Sequence, residues 1–368
     1  MDPVAVRGGR ACLWPVATAV AVHALFLAVF LHLHHDEISS LVCAPAAALN
    51  RPGMEAVRVG FGEGYDGFSY YRIARSPWRR QTSEPVRHLR ILYPAISWAF
   101  SGGDPYALLW VMPAVNLLAV AGLTLLACGF AVRHGLNPWW GCLLPFALNA
   151  VLPALRDLGD LTGALALGGF LVAWMQRRPS PLLFLLALLT LLSREQNLAV
   201  VGLVALLSLH ERRRGDVLAL LCAMMAWIGW VAVVGVMYGT WPFLAGPGNF
   251  GGPFAGLLSC NLERLRTWST KFYLRSSVGD ALILFQIALS VVILRWRVSP
   301  ALKAAALATA LQAVLGGRYI YCDYWSMGRV FAPMTLALFL ACLQARVLWP
   351  LPVLASSAYL AFFVGVLH

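Results

Sequence analysis

Charge is what this sequence has least of. Of its 368 residues only 12% are Asp, Glu, Lys or Arg, while 60% are hydrophobic, about half the charge of an ordinary soluble domain. That balance excludes water as the main solvent. Lysine is nearly missing, with Lys271 and Lys303 the only two, so the formal charge of +12 rests on arginine. We attribute this to GC-rich coding rather than to chemistry. The eight cysteines include no CxxC pair, so their spacing signals neither a zinc site nor a disulfide framework; Cys43 and Cys260 are the two placed to meet. No repeat or low-complexity tract breaks the chain.

What is present is apolar sequence in long runs. Eleven stretches are candidates to cross roughly 30 Å of hydrocarbon, at 13–33, 106–132, 138–155, 161–175, 181–192, 198–209, 217–238, 280–294, 300–315, 330–343 and 349–366. The expected fold is all-α, a polytopic transmembrane bundle of about eleven helices. It forms one membrane domain over 1–368, made of a first helix at 1–33, an outer loop with interfacial helices at 34–105, and the remaining bundle at 106–368. The first run is too long for a signal-peptide core and is preceded by Arg7 and Arg10, so it reads as a retained helix with its N-terminus in the cytoplasm.

Alternate threading puts Arg133, Arg177, Arg178, Arg212 to Arg214, Arg295, Arg297 and Arg346 on the starting side, as the positive-inside rule requires. The basic balance is thus a membrane property, and no nucleic acid is expected as a partner. The runs at 181–192 and 198–209 are each too short to span. Merging them would move Arg212–Arg214 to the wrong side, so two short or re-entrant helices meeting at Ser193-Arg194-Glu195-Gln196 are expected. Polar backbone at such a depth belongs where it lines a cavity or is buried in protein.

The segments on the far side hold most of the carboxylates. The first contains Tyr65-Asp66-Gly67-Phe68-Ser69-Tyr70-Tyr71-Arg72-Ile73-Ala74, whose mixture of aromatics and arginine suits an interfacial helix over 67–75 capped by Asp66. The chemistry open to Asp66 is general-base catalysis. Sugar transfer from a phosphate donor with inversion needs one carboxylate to take the acceptor proton, and cations to hold the leaving phosphate. Arg72, Arg87, Arg90, Arg194 and Arg329 lie on the same side.

Asp157, Asp160, Arg194 and Glu195 stand at ends of apolar helices, where an ionisable group is a site candidate. The structural alternative is an internal salt bridge such as Arg194 with Asp160. Asp323 and Arg329 flank Tyr319, Tyr321, Tyr324 and Trp325, aromatics that could stack on a sugar but suit an interfacial belt better. His32, His35 and Asp36 share a helical face by spacing, but without further convergent ligands they read as a polar helix end, and no metal is predicted.

These motifs also resemble the GT-C superfamily of membrane glycosyltransferases, similar to the GPI mannosyltransferases and their bacterial relatives. The resemblance is carried by Tyr65 to Ala74 in the loop after the first helix, by Arg90-Ile91-Leu92-Tyr93-Pro94, by Arg156-Asp157-Leu158-Gly159-Asp160-Leu161-Thr162 and by Leu192-Ser193-Arg194-Glu195, and covers about two thirds of the chain. It implies Asp66 as catalytic aspartate. Arg72, Arg90, Tyr93, Asp157, Asp160, Arg194, Glu195 and Arg329 are then donor-phosphate or substrate-binding residues. Relatives often carry the aspartate nearer the first helix, where this chain has Asp36-Glu37, so Asp36 is the competing base. The donor implied is a polyprenyl- or dolichyl-phosphate sugar bearing a mannose-like hexose or a pentose. The acceptor is a glycan, lipid or protein. The setting is the bacterial inner membrane with the site on the periplasmic face. A transporter or flippase of a lipid-linked sugar, with the carboxylates as proton relay, is the alternative, and a non-catalytic assembly subunit a third reading.

Overall fold

In the computed structural model the described residues are 3–357 apart from 50, 52, 245–249 and 268–269. The end of the last apolar run, at 358–366, therefore lies outside them. Helix α1 (Pro3–Leu33) stops where His35 and Asp36 adopt left-handed φ of +57° and +58°. This breaks the helical face expected to align His32 with His35 and Asp36. His32 and Asp36 come within 3.7 Å of each other, both largely exposed. The segment up to residue 104 folds into α2 (Asp66–Arg75), α3 (Pro85–Leu89) and α4 (Leu92–Ser101).

Next comes α5 (Pro105–Arg133), whose start has a clear chemical cause. Asp104 Oδ1 accepts from the amides of Tyr106 and Ala107 at 3.1 and 2.7 Å, and proline occupies the first helical position, where its missing N–H costs nothing. The run at 138–155, expected as one span, is instead α6 (Leu143–Ala147) and α7 (Val151–Leu155) after a short 3-10 turn. Pro145 and Pro153 interrupt the helical bonding, and Asn149 takes φ +53° while the Ala150 amide reaches back to the Pro145 carbonyl at 2.9 Å, the six-to-one bond that ends helices.

The central bundle is α8 (Asp160–Met175), α9 (Ser180–Ser193), α10 (Leu198–His210) and α11 (Arg214–Tyr238). After these come α12 (Ala255–Thr267), α13 (Thr270–Val292), α14 (Pro300–Val314), α15 (Arg318–Cys322), α16 (Tyr324–Val330), α17 (Ala332–Ala345) and α18 (Pro350–Ala355). Four stretches are long and apolar enough to cross a membrane, Ala11–Leu33, Pro105–Arg133, Arg214–Tyr238 and Ser277–Arg295; five further apolar helices are shorter. The described residues contain no strand, only two isolated bridges.

Helices α9 and α10 do not merge. The Ser180 hydroxyl at the start of α9 donates to Asp216 at 2.8 Å, and Ser208 near the end of α10 accepts from the Trp174 indole at 2.8 Å. Both outer tips of the pair therefore sit at one end of the molecule, with the 3-10 turn Glu195–Asn197 at the other. The same end holds Arg213, bonded to the Trp174 carbonyl at 3.3 Å, and Arg346, packed over Gly135. Gln344 there caps Ser299 at 2.8 Å. The short basic connections thus collect at one end. The charged groups of 65–90, 160 and 194–195 collect at the other.

Candidate functional site

Helix α2 enters this far end by a close approach of backbones. A Cβ on Gly67 would collide with the Arg156 carbonyl and lie 2.9 Å from that of Val42, so only glycine lets α2 begin there. Tyr65 is the residue before the helix and no side chain caps it. Asp66 is the first helical residue, not the cap expected from sequence, and its carboxylate faces arginines instead.

Asp66 Oδ1 lies 3.1 Å from Arg87 Nε and Oδ2 lies 3.0 Å from Arg329 Nη1. Arg329 is the hub: its Nε donates to Asp160 Oδ2 at 2.6 Å and its Nη1 to the Tyr65 hydroxyl at 2.9 Å. That hydroxyl donates onward to Asp323 at 3.4 Å. Arg194 closes on the other oxygen of Asp160, the internal pair that sequence left as the structural alternative. Arg90 grips Glu195 with two parallel bonds of 3.0 and 2.6 Å, and Arg87 also reaches Glu84 at 3.1 Å and the Ser69 hydroxyl at 2.9 Å. The turn at 195–197 is held in place by Gln196 donating to the Val330 carbonyl and by Gln312 donating to that of Gln196, each at 2.8 Å.

The network has a closed and an open side. Arg329, Asp160 and Arg194 side chains are 4, 5 and 7% exposed, whereas Asp66, Arg90, Glu195 and Arg87 are 16, 17, 19 and 31% exposed. Beneath the closed side, a cavity of about 10 Å³ between Asp160, Arg194, Asn197 and Arg329 has room for one water. A larger molecule has to approach from Asp66, Arg87, Arg90 and Glu195.

No known protein family, curated protein or solved structure matches this chain. Function has to be argued from the site.

Burial pushes the Asp66 carboxyl up, but Arg329, Arg87 and Arg90 outweigh it and hold the group below the ordinary carboxylate range. Asp66 is therefore anionic at neutral pH. Asp157 is the reverse case. It is fully buried with a left-handed φ of +48°, neither carboxyl oxygen has a hydrogen-bond partner among the described residues, and burial drives its pKa well upward. The Tyr93 hydroxyl is near and opposes that shift slightly, but its one proton goes to the Met112 carbonyl at 3.0 Å, so it cannot also donate to Asp157.

Of the residues singled out from sequence, Asp66, Arg90, Asp160, Arg194, Glu195 and Arg329 come together. Three do not. Tyr93 is packed away at 1% exposure, Asp157 has no guanidinium on either oxygen among the described residues, and Arg72 lies over the Phe68 ring at 5.6 Å. Tyr65 and Glu84 belong to the network without having been singled out. The Glu84–Arg87 spacing of three residues carried a local signal; the bond from Tyr65 to Arg329 spans 264 positions and carried none. Tyr321 is buried, with its hydroxyl on the Ala313 carbonyl at 2.6 Å, and Tyr319 is exposed, while the side chains of Tyr324 and Trp325 lie outside the described residues.

Cysteine pairing also differs from expectation. Cys260 on α12 is bonded to Cys322 at the end of α15, with a Cα separation of 5.4 Å. Cys43 is buried and accepts from Arg156 at 3.2 Å. The burial of Cys43 against Arg156 keeps it from Cys260. Among the described residues no group of three His, Cys, Asp or Glu converges as metal ligands would.

Proposed function

We propose that the chain is an inverting glycosyltransferase of GT-C type that moves a sugar from a polyprenyl-phosphate donor to an acceptor hydroxyl on the outer face of the membrane. The observation that supports this best is the setting of Asp66, an anionic carboxylate on the open side of a cluster whose guanidiniums can hold a phosphate. Asp66 takes the acceptor proton as that oxygen attacks the anomeric carbon. The bond from that carbon to the phosphate oxygen breaks on the opposite face, the phosphate leaves with the electron pair, and the configuration inverts. Arg87 and Arg90, nearest the opening, take the developing charge in a low-dielectric setting where such contacts are strong. Asp36, the competing base, is 76% exposed, and its ion-pair partner among the described residues is His32 alone.

Depth fits a lipid-borne donor. Helices α8, α9 and α10 have 16, 14 and 13 residues, about 20–24 Å at about 1.5 Å per residue. Hydrocarbon is roughly 30 Å thick. If the basic end marks the cytoplasmic boundary, the arginine cluster lies within the outer leaflet. The longer α5 and α11, of 29 and 25 residues, rise past it as walls. A phosphate on a polyprenyl chain reaches that level without leaving the membrane.

Incubating purified protein with radiolabelled polyprenyl-phosphate mannose, glucose and arabinose plus membrane extract identifies donor and product. Asp66→Asn should cut turnover by roughly a hundred- to ten-thousand-fold while donor binding persists, and Asp36→Asn should leave it intact. Near-normal turnover in Asp66→Asn removes the proposal. Because arginines hold the Asp66 pKa down, the rate should stay level through mildly acidic pH and fall only below the ordinary carboxylate range.

A further inference from the structure

A second cavity, of about 40 Å³, lies between α13, α16, α17 and the break that separates α6 from α7. Its lining shares no residue with the arginine cluster. Polar groups reach it from Asn149, Gln286, Thr335 and Ser357, and no charged side chain is among the described residues that line it.

Two of these side chains are amides shut away from water. Asn149 is 7% exposed and Gln286 5%, and burying an amide is costly unless it is hydrogen-bonded. The Thr335 hydroxyl donates to Gln286 Oε1 at 2.7 Å, which fixes that amide and leaves its nitrogen without an acceptor among the described residues. Asn149 is held by its backbone, with φ at +53° and its N–H donating to the Phe146 carbonyl at 3.0 Å. Its Oδ1 is buried with no partner among the described residues. The Ser357 proton is already engaged by the carbonyls of Ala147 and Phe146, at 2.7 and 3.1 Å.

The cavity thus offers N–H donors on Gln286 and an open acceptor on Asn149. A phosphate or carboxylate has no proton for Asn149, and an ammonium has no lone pair for Gln286. An alcohol hydroxyl has one proton to give and two lone pairs to fill. It answers both.

Size and depth narrow the ligand further. The 40 Å³ is room for roughly three waters, at about 10–15 Å³ each. That accommodates a hydroxyl with the carbon that carries it and excludes a sugar ring. Gln286 is the middle residue of the stretch 277–295, which is long and apolar enough to cross a membrane, and it lies about 10 Å along α13 from Gly279 on the same cavity wall. A buried polar side chain at that depth is a candidate site, and its neighbours on the wall, Leu282 and Ile283, are apolar. A ligand reaching it from hydrocarbon has an apolar body.

We infer that this cavity binds the hydroxyl end of an uncharged, membrane-borne alcohol, with Asn149 Oδ1 accepting its proton and Gln286 Nε2 donating to its oxygen. Gly328 shapes the fit. A Cβ there would lie 3.1 Å from Asn149 Nδ2, so the backbone of α16 closes directly on that amide. The inference does not rest on sugar transfer, since neither amide belongs to the Asp66 network.

The test uses the full-length protein in phosphatidylcholine vesicles, a lipid without hydroxyls, and three probes with the same mid-chain diazirine: hexadecanol, hexadecane and hexadecyl sulfate. After photolysis, mass spectrometry counts label on the peptides that contain Gln286 and Thr335. Hexadecanol should label them roughly tenfold more than either other probe, because only the alcohol satisfies both amides, and Asp66→Asn should behave as wild type. Gln286→Met, similar in shape but without the N–H, should lower labelling by hexadecanol roughly tenfold and leave that by hexadecane unchanged. The Thr335 hydroxyl is not stranded by this change, since the Phe331 carbonyl lies 3.3 Å from it. Equal labelling by the three probes in wild type overturns the inference and makes this a water-filled cavity. Undiminished labelling by hexadecanol in Gln286→Met overturns it equally. If that variant does not fold, the comparison of the three probes in wild type decides alone.

Discussion

Asp66 and Asp157 carry the same carboxyl group and end in opposite states. Asp66 has guanidiniums on both oxygens and is held anionic, whereas Asp157 has none and is held neutral by burial. The second state has a consequence for stability. Asp157 stays protonated in the fold while the unfolded chain ionises above a pH of about 4. Unfolding then releases a proton, and stability declines by up to about 1.4 kcal/mol per pH unit as pH rises from that point toward the raised native pKa. Asn at this position has no proton to lose. Asp157→Asn should therefore unfold at a higher temperature than wild type at pH 8, with the gap closing near pH 4.5; a gap that is constant or widens toward acid contradicts the neutral assignment. Arg329 makes the complementary case, since it contacts Asp66, Asp160 and Tyr65 at once. Arg329→Ala strands a buried carboxylate and should cost about 3–5 kcal/mol, read as lost denaturant resistance, while Arg329→Lys should recover little because a point charge cannot bridge three partners.

Two elements carry the site, and each depends on a local irregularity. Helix α2 can start where it does because Gly67 has no side chain between the carbonyls of Arg156 and Val42. Gly67→Ala should displace the first turn of α2 and Asp66 with it, giving an activity loss comparable to that of Asp66→Asn together with a lower melting temperature. A normally active Gly67→Ala protein would mean that the position of Asp66 is not critical. The α9–α10 pair works by returning to its starting end, which puts Arg194 and Glu195 at the turn rather than at a boundary. Its shortness was readable in the two brief apolar runs. Its polar apex was readable too, because charged residues between apolar helices have few places to go.

For the molecule as a whole, the collection of basic connections at one end and the site at the other predicts a definite orientation. Reporter fusions after Arg178 and Arg214 should report the cytoplasm, and one after Gly103 the opposite side; a cytoplasmic signal at Gly103 would undo the outward-facing site. The Cys260–Cys322 bond bears on the same point, since such bonds persist in oxidising compartments. Thiol alkylation of the denatured protein should label six cysteines without reductant and eight with it, and reduction should lower stability by about 2–4 kcal/mol. Low charge, long apolar runs and arginines spaced between them were enough to read a helical bundle with charge segregated end from end, because hydrocarbon forces backbone into helices and charge to the ends whatever the fold. The same local chemistry marked Asp66, Arg90, Asp160, Arg194, Glu195 and Arg329. The breaks at Pro145, Asn149 and Pro153 were overlooked within an apolar run, although their residue types carried the signal. Which arginine meets which carboxylate, that Arg72 and Tyr93 stand apart, and that Cys260 takes Cys322 over Cys43 were decided by tertiary structure, because those partners lie tens to hundreds of residues apart and nothing in local sequence constrains how distant helix ends meet.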